Sequence, residues 1–201
     1  MDGKKYSKQL FKGRKEQKVT GSHQNNIKYS IIIPIPELEP FIQSYRFKYN
    51  FFAKKGIPTH ITFLYLFSQS VYLKNKEVII KLLNFLPKIF KNKKLTISDF
   101  YQNPQMFALD FNKKSSDLIH KVQMKVASYL NLNLANYENP TKRPHITLFT
   151  KRGGETGFKA IEHIKKELTP LLPQIISFDR VWLLEIDIKK DIPTLIYEVK
   201  W

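Results

Sequence analysis

Two segments of the chain carry the same pattern. Pro58-Thr59-His60-Ile61-Thr62-Phe63 and Pro144-His145-Ile146-Thr147-Leu148 each set a histidine and a threonine two residues apart in a short apolar run, and the histidines lie 85 residues apart. Such runs read as strands. Residues i and i+2 of a strand project from one face with Cα atoms about 6.6 Å apart. His60 and Thr62 therefore point together, as do His145 and Thr147, while Ile61 and Ile146 turn into the packing. A bare His-x-Ser/Thr triplet arises by accident roughly half a time in a chain of this composition. The constraint comes from the pair, each member with a proline just upstream and apolar residues around the threonine.

The rest of the pattern is built around those strands. Residues 29–35 form another β-branched run and read as a buried strand, and 37–49 can carry a short helix entered through Pro40. Strand 59–67 follows, then a helix over 74–90 with Val78, Ile79, Leu82, Leu83 and Phe85 at helical spacing. Residues 95–102 and 105–111 form a hairpin around Asn103-Pro104. The order then repeats: a helix over 115–130 capped by Ser115 or Ser116, a strand over 144–150, a helix over 158–172, and closing strands over 175–188 and 194–199. Hairpins separated by helices predict an α+β fold with antiparallel sheets, and the repeated order suggests two similar lobes.

Composition excludes several function classes. The 201 residues contain no cysteine, so disulfide scaffolds, cysteine-ligated zinc and thiol catalysis are ruled out. No apolar run approaches the ~20 residues of a membrane span, and the charged N-terminus lacks the apolar stretch of a signal peptide. A cytoplasmic, monomeric protein is expected. The net charge of +17 suits a polyanion such as RNA. Only five of the 34 basic residues are arginine, and isoleucine and asparagine are plentiful, so coding bias accounts for the lysines equally well. Residues 1–27, with seven basic and two acidic residues, read as a mobile basic arm able to make non-specific RNA contacts, and 28–201 as the folded unit.

Two imidazoles facing one phosphate suit phosphodiester chemistry without a metal or other cofactor. A neutral histidine removes a proton from water or a hydroxyl while a protonated one gives a proton to the departing oxygen, and a pKa near neutrality permits both states. The threonine hydroxyls can donate to the non-bridging oxygens. The spacing leaves open which histidine is acid and which is base. No His/Asp/Glu cluster sits at metal-ligand spacing nearby.

Paired His-x-Thr strands of this kind resemble the 2H phosphoesterase superfamily, which includes 2′-5′ RNA ligases and cyclic phosphodiesterases. Residues 31–40 and 56–65 are similar to its bacterial 2′-5′ RNA ligase-like branch. One departure is Leu66-Phe67, where that branch has Pro-Phe. The resemblance implies a bilobed, pseudo-twofold fold of two antiparallel sheets flanked by helices, with the active-site cleft between the lobes. It also implies activity on 2′,3′-cyclic phosphates, 2′-5′ linkages or RNA ends, His60 and His145 being catalytic and Thr62 and Thr147 binding phosphate. Two alternatives share the fold: a non-catalytic RNA-binding module, and an enzyme that degrades cyclic oligonucleotides.

Among other cations, Arg143, two residues before His145, is best placed to bind substrate; Lys54 and Lys55 precede His60 by a loop, and Lys151 and Arg152 lie too far along the strand. The glycines at 153, 154 and 157 fail the phosphate-loop pattern and read as a turn into a helix. His23, His120 and His163 lack threonine partners and read as structural or incidental. Tyr65, Phe67, Trp182 and Tyr197 are candidates for base stacking or, more simply, core; strict alternation turns Phe63 and Tyr65 away from His60.

Overall fold

A computed structural model describes residues 26–132, 143–151 and 156–201. The basic arm of the sequence reading falls almost wholly outside them. Among the described residues eight strands form two antiparallel four-stranded sheets. The first has the order β2-β1-β7-β8, made by β1 (Ile27–Pro34), β2 (His60–Ser68), β7 (Arg180–Asp187) and β8 (Ile192–Lys200). The second has the order β5-β4-β3-β6, made by β3 (Leu95–Asn103), β4 (Met106–Phe111), β5 (His145–Thr150) and β6 (Gln174–Ile176). The two orders match position for position. Among the described residues each His-x-Thr strand is an edge, paired with the strand that precedes it in sequence, and the two edges, β2 and β5, come into contact.

Helices α1 (Glu39–Tyr49), α2 (Phe51–Lys54), α3 (Gln69–Phe90), α4 (Lys113–Tyr129), α5 (Thr156–Lys159) and α6 (Ile161–Leu168) flank the sheets. One hydrophobic core runs under both sheets. It takes the inward residues of β1 and β2 (Ile31, Ile33, Ile61, Phe63), those of β4 and β5 (Phe107, Leu109, Ile146, Leu148), and the apolar stripe of α4 at Ile119, Val122 and Val126. Full burial of each such side chain stabilises the fold by about 1.5–3 kcal/mol. A smaller cluster of Ile32, Ile57 and Leu184 covers the opposite face of the first sheet.

Four sequence expectations change. The helix expected over 158–172 is broken after Lys159, continues as Ile161–Leu168 and ends in a 3-10 turn over Thr169–Leu171, where Pro170 has no N–H to continue it. Residues 175–188 are not one strand: the chain leaves β6 in the second sheet and enters β7 in the first, and between them Phe178 drops into the core against Phe90, ring centroids 5.0 Å apart. The two sheets are separate ladders, and residues 177–179 leave the strand conformation to pass from one to the other. Helix α3 begins at Gln69, five residues before the expected start, because Ser68 Oγ accepts the Val71 N–H and caps it. Helix α4 is capped by Asn112, whose Oδ1 accepts the Ser115 N–H, so Ser115 and Ser116 lie inside the first turn.

Candidate active site

The register of β1 and β2 sets His60 opposite Pro34 and Thr62 opposite Ile32, so the face of β2 away from the core carries both polar side chains. Across the molecule, β4 sets Asp110 opposite His145 and Ala108 opposite Thr147. His60, Thr62, His145 and Thr147 line one cleft of about 350 Å3, and Arg143 lines it too. Lys54, Lys55 and Lys151 are not among its lining residues.

Both imidazoles are held alike. His60 Nδ1 donates to the Pro58 carbonyl and His145 Nδ1 to the Arg143 carbonyl, each at 2.8 Å. A carbonyl can only accept, so the contact fixes the proton on Nδ1 and leaves Nε2 as the nitrogen that gains or loses a proton in each ring. The loop that presents Pro58 turns at Gly56, whose φ of +85° favours glycine.

The surroundings of the two rings differ. Arg46 of α1 is 1% exposed; its Nη1 donates to Thr59 Oγ1 at 2.9 Å and its Nη2 to the Ile57 carbonyl at 3.3 Å. Burial, this guanidinium and the His145 ring lower the His60 pKa from 6.5 to about 4, against the opposing effect of the Pro58 carbonyl. His60 is neutral at pH 7. On the other side, Arg143 Nη1 meets Asp110 Oδ2 at 3.2 Å, the carboxylate buried and the guanidinium exposed. The Tyr101 ring lies 5.9 Å from that of His145.

The threonine carbonyls are tied across the molecule. Asn50, between α1 and α2, donates through Nδ2 to the Thr147 carbonyl at 3.4 Å, and Gln123 of α4 donates through Nε2 to the Thr62 carbonyl at 3.2 Å. These bonds hold the two edge strands beside each other with both hydroxyl-bearing side chains half-buried.

Two residues set aside by the sequence reading belong to the cleft. His120 lines it together with Gln123 and Met124, on the face of α4 away from Ile119 and Val122. Tyr65 lines it as well, 45% exposed. Register shifts in the β1–β2 ladder between Ile32 and Tyr29 give β2 two extra residues between Thr62 and Phe67, which resets the alternation. Phe63 is a buried core residue that also reaches the cleft lining, and Phe67 lies in the core. Trp182 bonds to Glu198 and Tyr197 to Asn84, neither lining the cleft. His163 pairs with Glu167 along α6. His23, Arg152 and the glycines at 153 and 154 lie outside the described residues. Among the described residues no group of three or more His, Asp or Glu side chains gathers to hold a metal ion, and no helix is long and apolar enough to cross a membrane.

The sequence matches no protein-family model and no curated protein. The fold is similar to solved structures. A phosphoesterase crystal structure superposes with a TM-score of 0.53 at 12% identity, covering 86% of this chain and 97% of that one. Usb1 of Kluyveromyces marxianus gives a TM-score of 0.49 at 8% identity, with 89% and 99% covered, and Escherichia coli LigT complexed with ATP gives 0.46 at 16% identity, with 89% and 98% covered. With two antiparallel four-stranded sheets flanked by helices and a His-x-Thr strand at the facing edge of each, the chain has the α+β fold expected from the sequence and shares it with that phosphoesterase.

Proposed function

We propose that residues 28–201 form a cytoplasmic, metal-independent phosphodiesterase acting on 2′,3′-cyclic phosphates or 2′-5′-linked nucleotides at RNA ends, with His60 as base and His145 as acid. The observation that carries the reading is the matched pair of imidazoles on one cleft, each fixed with its proton on Nδ1. His60, neutral at pH 7, takes a proton from water through Nε2. The water oxygen bonds to phosphorus, the bond to one ribose oxygen breaks, and His145 Nε2–H gives that oxygen its proton. Thr62 and Thr147 donate hydrogen bonds to the non-bridging oxygens, whose charge rises in the transition state. Arg143, steered by Asp110, adds a cation at the His145 end. With a ribose 5′-hydroxyl in place of the water, the same groups would open a 2′,3′-cyclic phosphate at its 3′ oxygen and join a 2′-5′ linkage.

The test is incubation with EDTA present against 2′,3′-cyclic nucleotides, 2′-5′ dinucleotides and cyclic dinucleotides, with products identified by mass. Ring-opened monophosphate or cleaved dimer is expected, with turnover falling at least a hundredfold in His60→Ala or His145→Ala. Full activity in the double variant, or activity abolished by the chelator, contradicts it. The +17 charge favours one second reading, a non-catalytic RNA-binding module, for which the same panel yields no product while RNA binding falls steeply with salt. Cleavage confined to the cyclic dinucleotides would instead mark a degrader of cyclic oligonucleotides.

A further inference from the structure

The two halves of the cleft are matched in strand order, in motif and in the bond that holds each imidazole. Such a pair could work in either sense. What differs is the charge built in behind each ring.

Behind His60 the charge is a buried cation. Helix α1 reaches the segment that carries the ring at three points. Glu39 Oε1 accepts the Thr59 N–H at 3.3 Å, and Arg46 bonds to the Thr59 hydroxyl and to the Ile57 carbonyl. Ile57 and Thr59 flank Pro58, the residue whose carbonyl receives His60 Nδ1–H. Arg46 thus grips the chain on both sides of that carbonyl. The guanidinium is almost wholly desolvated, its Nε has no hydrogen-bond partner, and among the described residues no carboxylate stands within ion-pair distance of it. Burial lowers its pKa to about 10, which keeps it charged at neutral pH. Desolvating a cation with so little compensation is costly, and well-packed apolar side chains would serve the fold as well. Behind His145 the charge is negative: the buried Asp110 carboxylate sits directly across the ladder, shared with the exposed Arg143.

We infer that Arg46 is a positioning residue for His60: it clamps the residues on both sides of Pro58, whose carbonyl orients the ring, and sets a fixed positive charge behind it, so that of two like histidines His60 is the one that accepts the proton. The inference rests on the acid–base reading above. The charged and titratable groups facing His60 are Arg46 from α1, with Glu39 behind Thr59, and His145 from β5; Arg143, His120, Tyr65 and Asp191 line the same cleft.

The experiment is an NMR titration of the His60 ring in the full chain without substrate, in the wild type, Arg46→Lys and Arg46→Met. The wild-type midpoint is expected near 4. Arg46→Lys keeps the charge and should leave the midpoint low, whereas Arg46→Met should raise it by about one unit, the size of effect a neighbouring charge exerts. The acid limb of the rate profile should move with it. A folded Arg46→Met protein with an unmoved midpoint overturns the proposal, as does an equal rise in Arg46→Lys. Should the methionine variant not fold, Glu39→Gln keeps an acceptor for Thr59 and removes the one carboxylate that offsets the guanidinium, so the midpoint should fall further; a rise or no change overturns the proposal. The ring titration needs no turnover. A shift in a protein inactive on every phosphodiester offered sinks the enzyme reading alone, and turnover with no shift sinks the role of Arg46 alone.

Discussion

Asn50 and Gln123 make reciprocal bonds. Asn50 ends the helix α1 that leads from β1 towards β2, Gln123 lies in the helix α4 between β4 and β5, and each donates to a threonine carbonyl on the His-x-Thr strand of the other sheet. Two unpaired sheet edges are thereby held in fixed register with no ladder between them. Asn50 also caps α2, its Oδ1 accepting the N–H groups of Phe52 and Ala53. Asn50→Ala should lose the cap and a buried hydrogen bond, costing about 1–3 kcal/mol in urea unfolding. Gln123→Ala loses only the cross-sheet bond, about 1 kcal/mol, and should lower kcat more than stability. Equal and negligible effects from both would show that the edges are held by packing alone.

The His60 pKa gives the acid limb of the rate profile a definite place. The base must be neutral, so kcat/KM should rise with pH through a midpoint near 4, far below the ordinary 6.5. An acid limb near 6.5 on the free enzyme would show that His60 is not the base.

The same shift bears on stability, with a sign that can be worked out. In the unfolded chain the ring binds its proton below about 6.5, in the folded protein only below about 4. Between those values the unfolded state holds more protons, so stability present above pH 6.5 erodes as pH falls and levels off below about 4. His60 is half-buried and partly screened, so the erosion should be on the order of 1–2 kcal/mol, less than the full shift implies. Urea midpoints at pH 7, 5.5 and 4.5 should diverge between wild type and His60→Asn, and parallel curves would contradict the shift.

Much of this site was legible because β-strands have a period of two. Once His60 and Thr62 were placed on one face, Ile61 had to enter the core, and it is fully buried there. The legibility stopped where that period broke. Tyr65 faces the cleft because the bulges after Thr62 shift the alternation, and nothing in Phe63-Leu64-Tyr65-Leu66 marks their position. His120 was hidden for another reason: a helix pattern reveals the stripe that packs, here Ile119, Val122 and Val126, but cannot say whether the opposite face meets water or a cleft. Arg46 sits among residues that read as one more basic helix surface, and only the fold shows that the chain from Ile57 to Thr59 closes over it. The break at Phe178 was invisible because an apolar residue crossing between sheets looks like one continuing a strand.

The carboxylate of Asp110 holds Arg143 at the His145 end of the cleft and is not among the residues that line it. Its own side chain is 7% exposed and that of Arg143 is 68%, so the pair is screened on one side and its energy is modest, about 1 kcal/mol. Asp110→Asn keeps the Oδ1 that accepts the Phe111 N–H and removes the charge. The expected result is a KM for cyclic phosphate raised about three- to tenfold at low salt, the difference shrinking as ionic strength screens the pair. A kcat loss as large as that of His145→Ala would instead mean that Asp110 acts on the proton-donating ring directly.

Under the proposed function, Tyr65 is the side chain on which a nucleobase would stack. Its ring is 45% exposed at the edge of the site, while the neighbouring wall of Ile32, Ile57 and Leu184 is aliphatic, so the ring is an aromatic surface beside the first sheet on which a nucleobase can stack. A stacked base contributes about 1–3 kcal/mol, or roughly five- to 150-fold in affinity. Tyr65→Ala should therefore raise KM for a 2′,3′-cyclic nucleotide by that factor and leave KM for the baseless cyclic ribose phosphate unchanged, with Tyr65→Phe close to wild type on both. If the alanine variant weakens both substrates equally, the ring shapes the β2 bulge and does not contact the base, and the apolar wall would have to hold it instead.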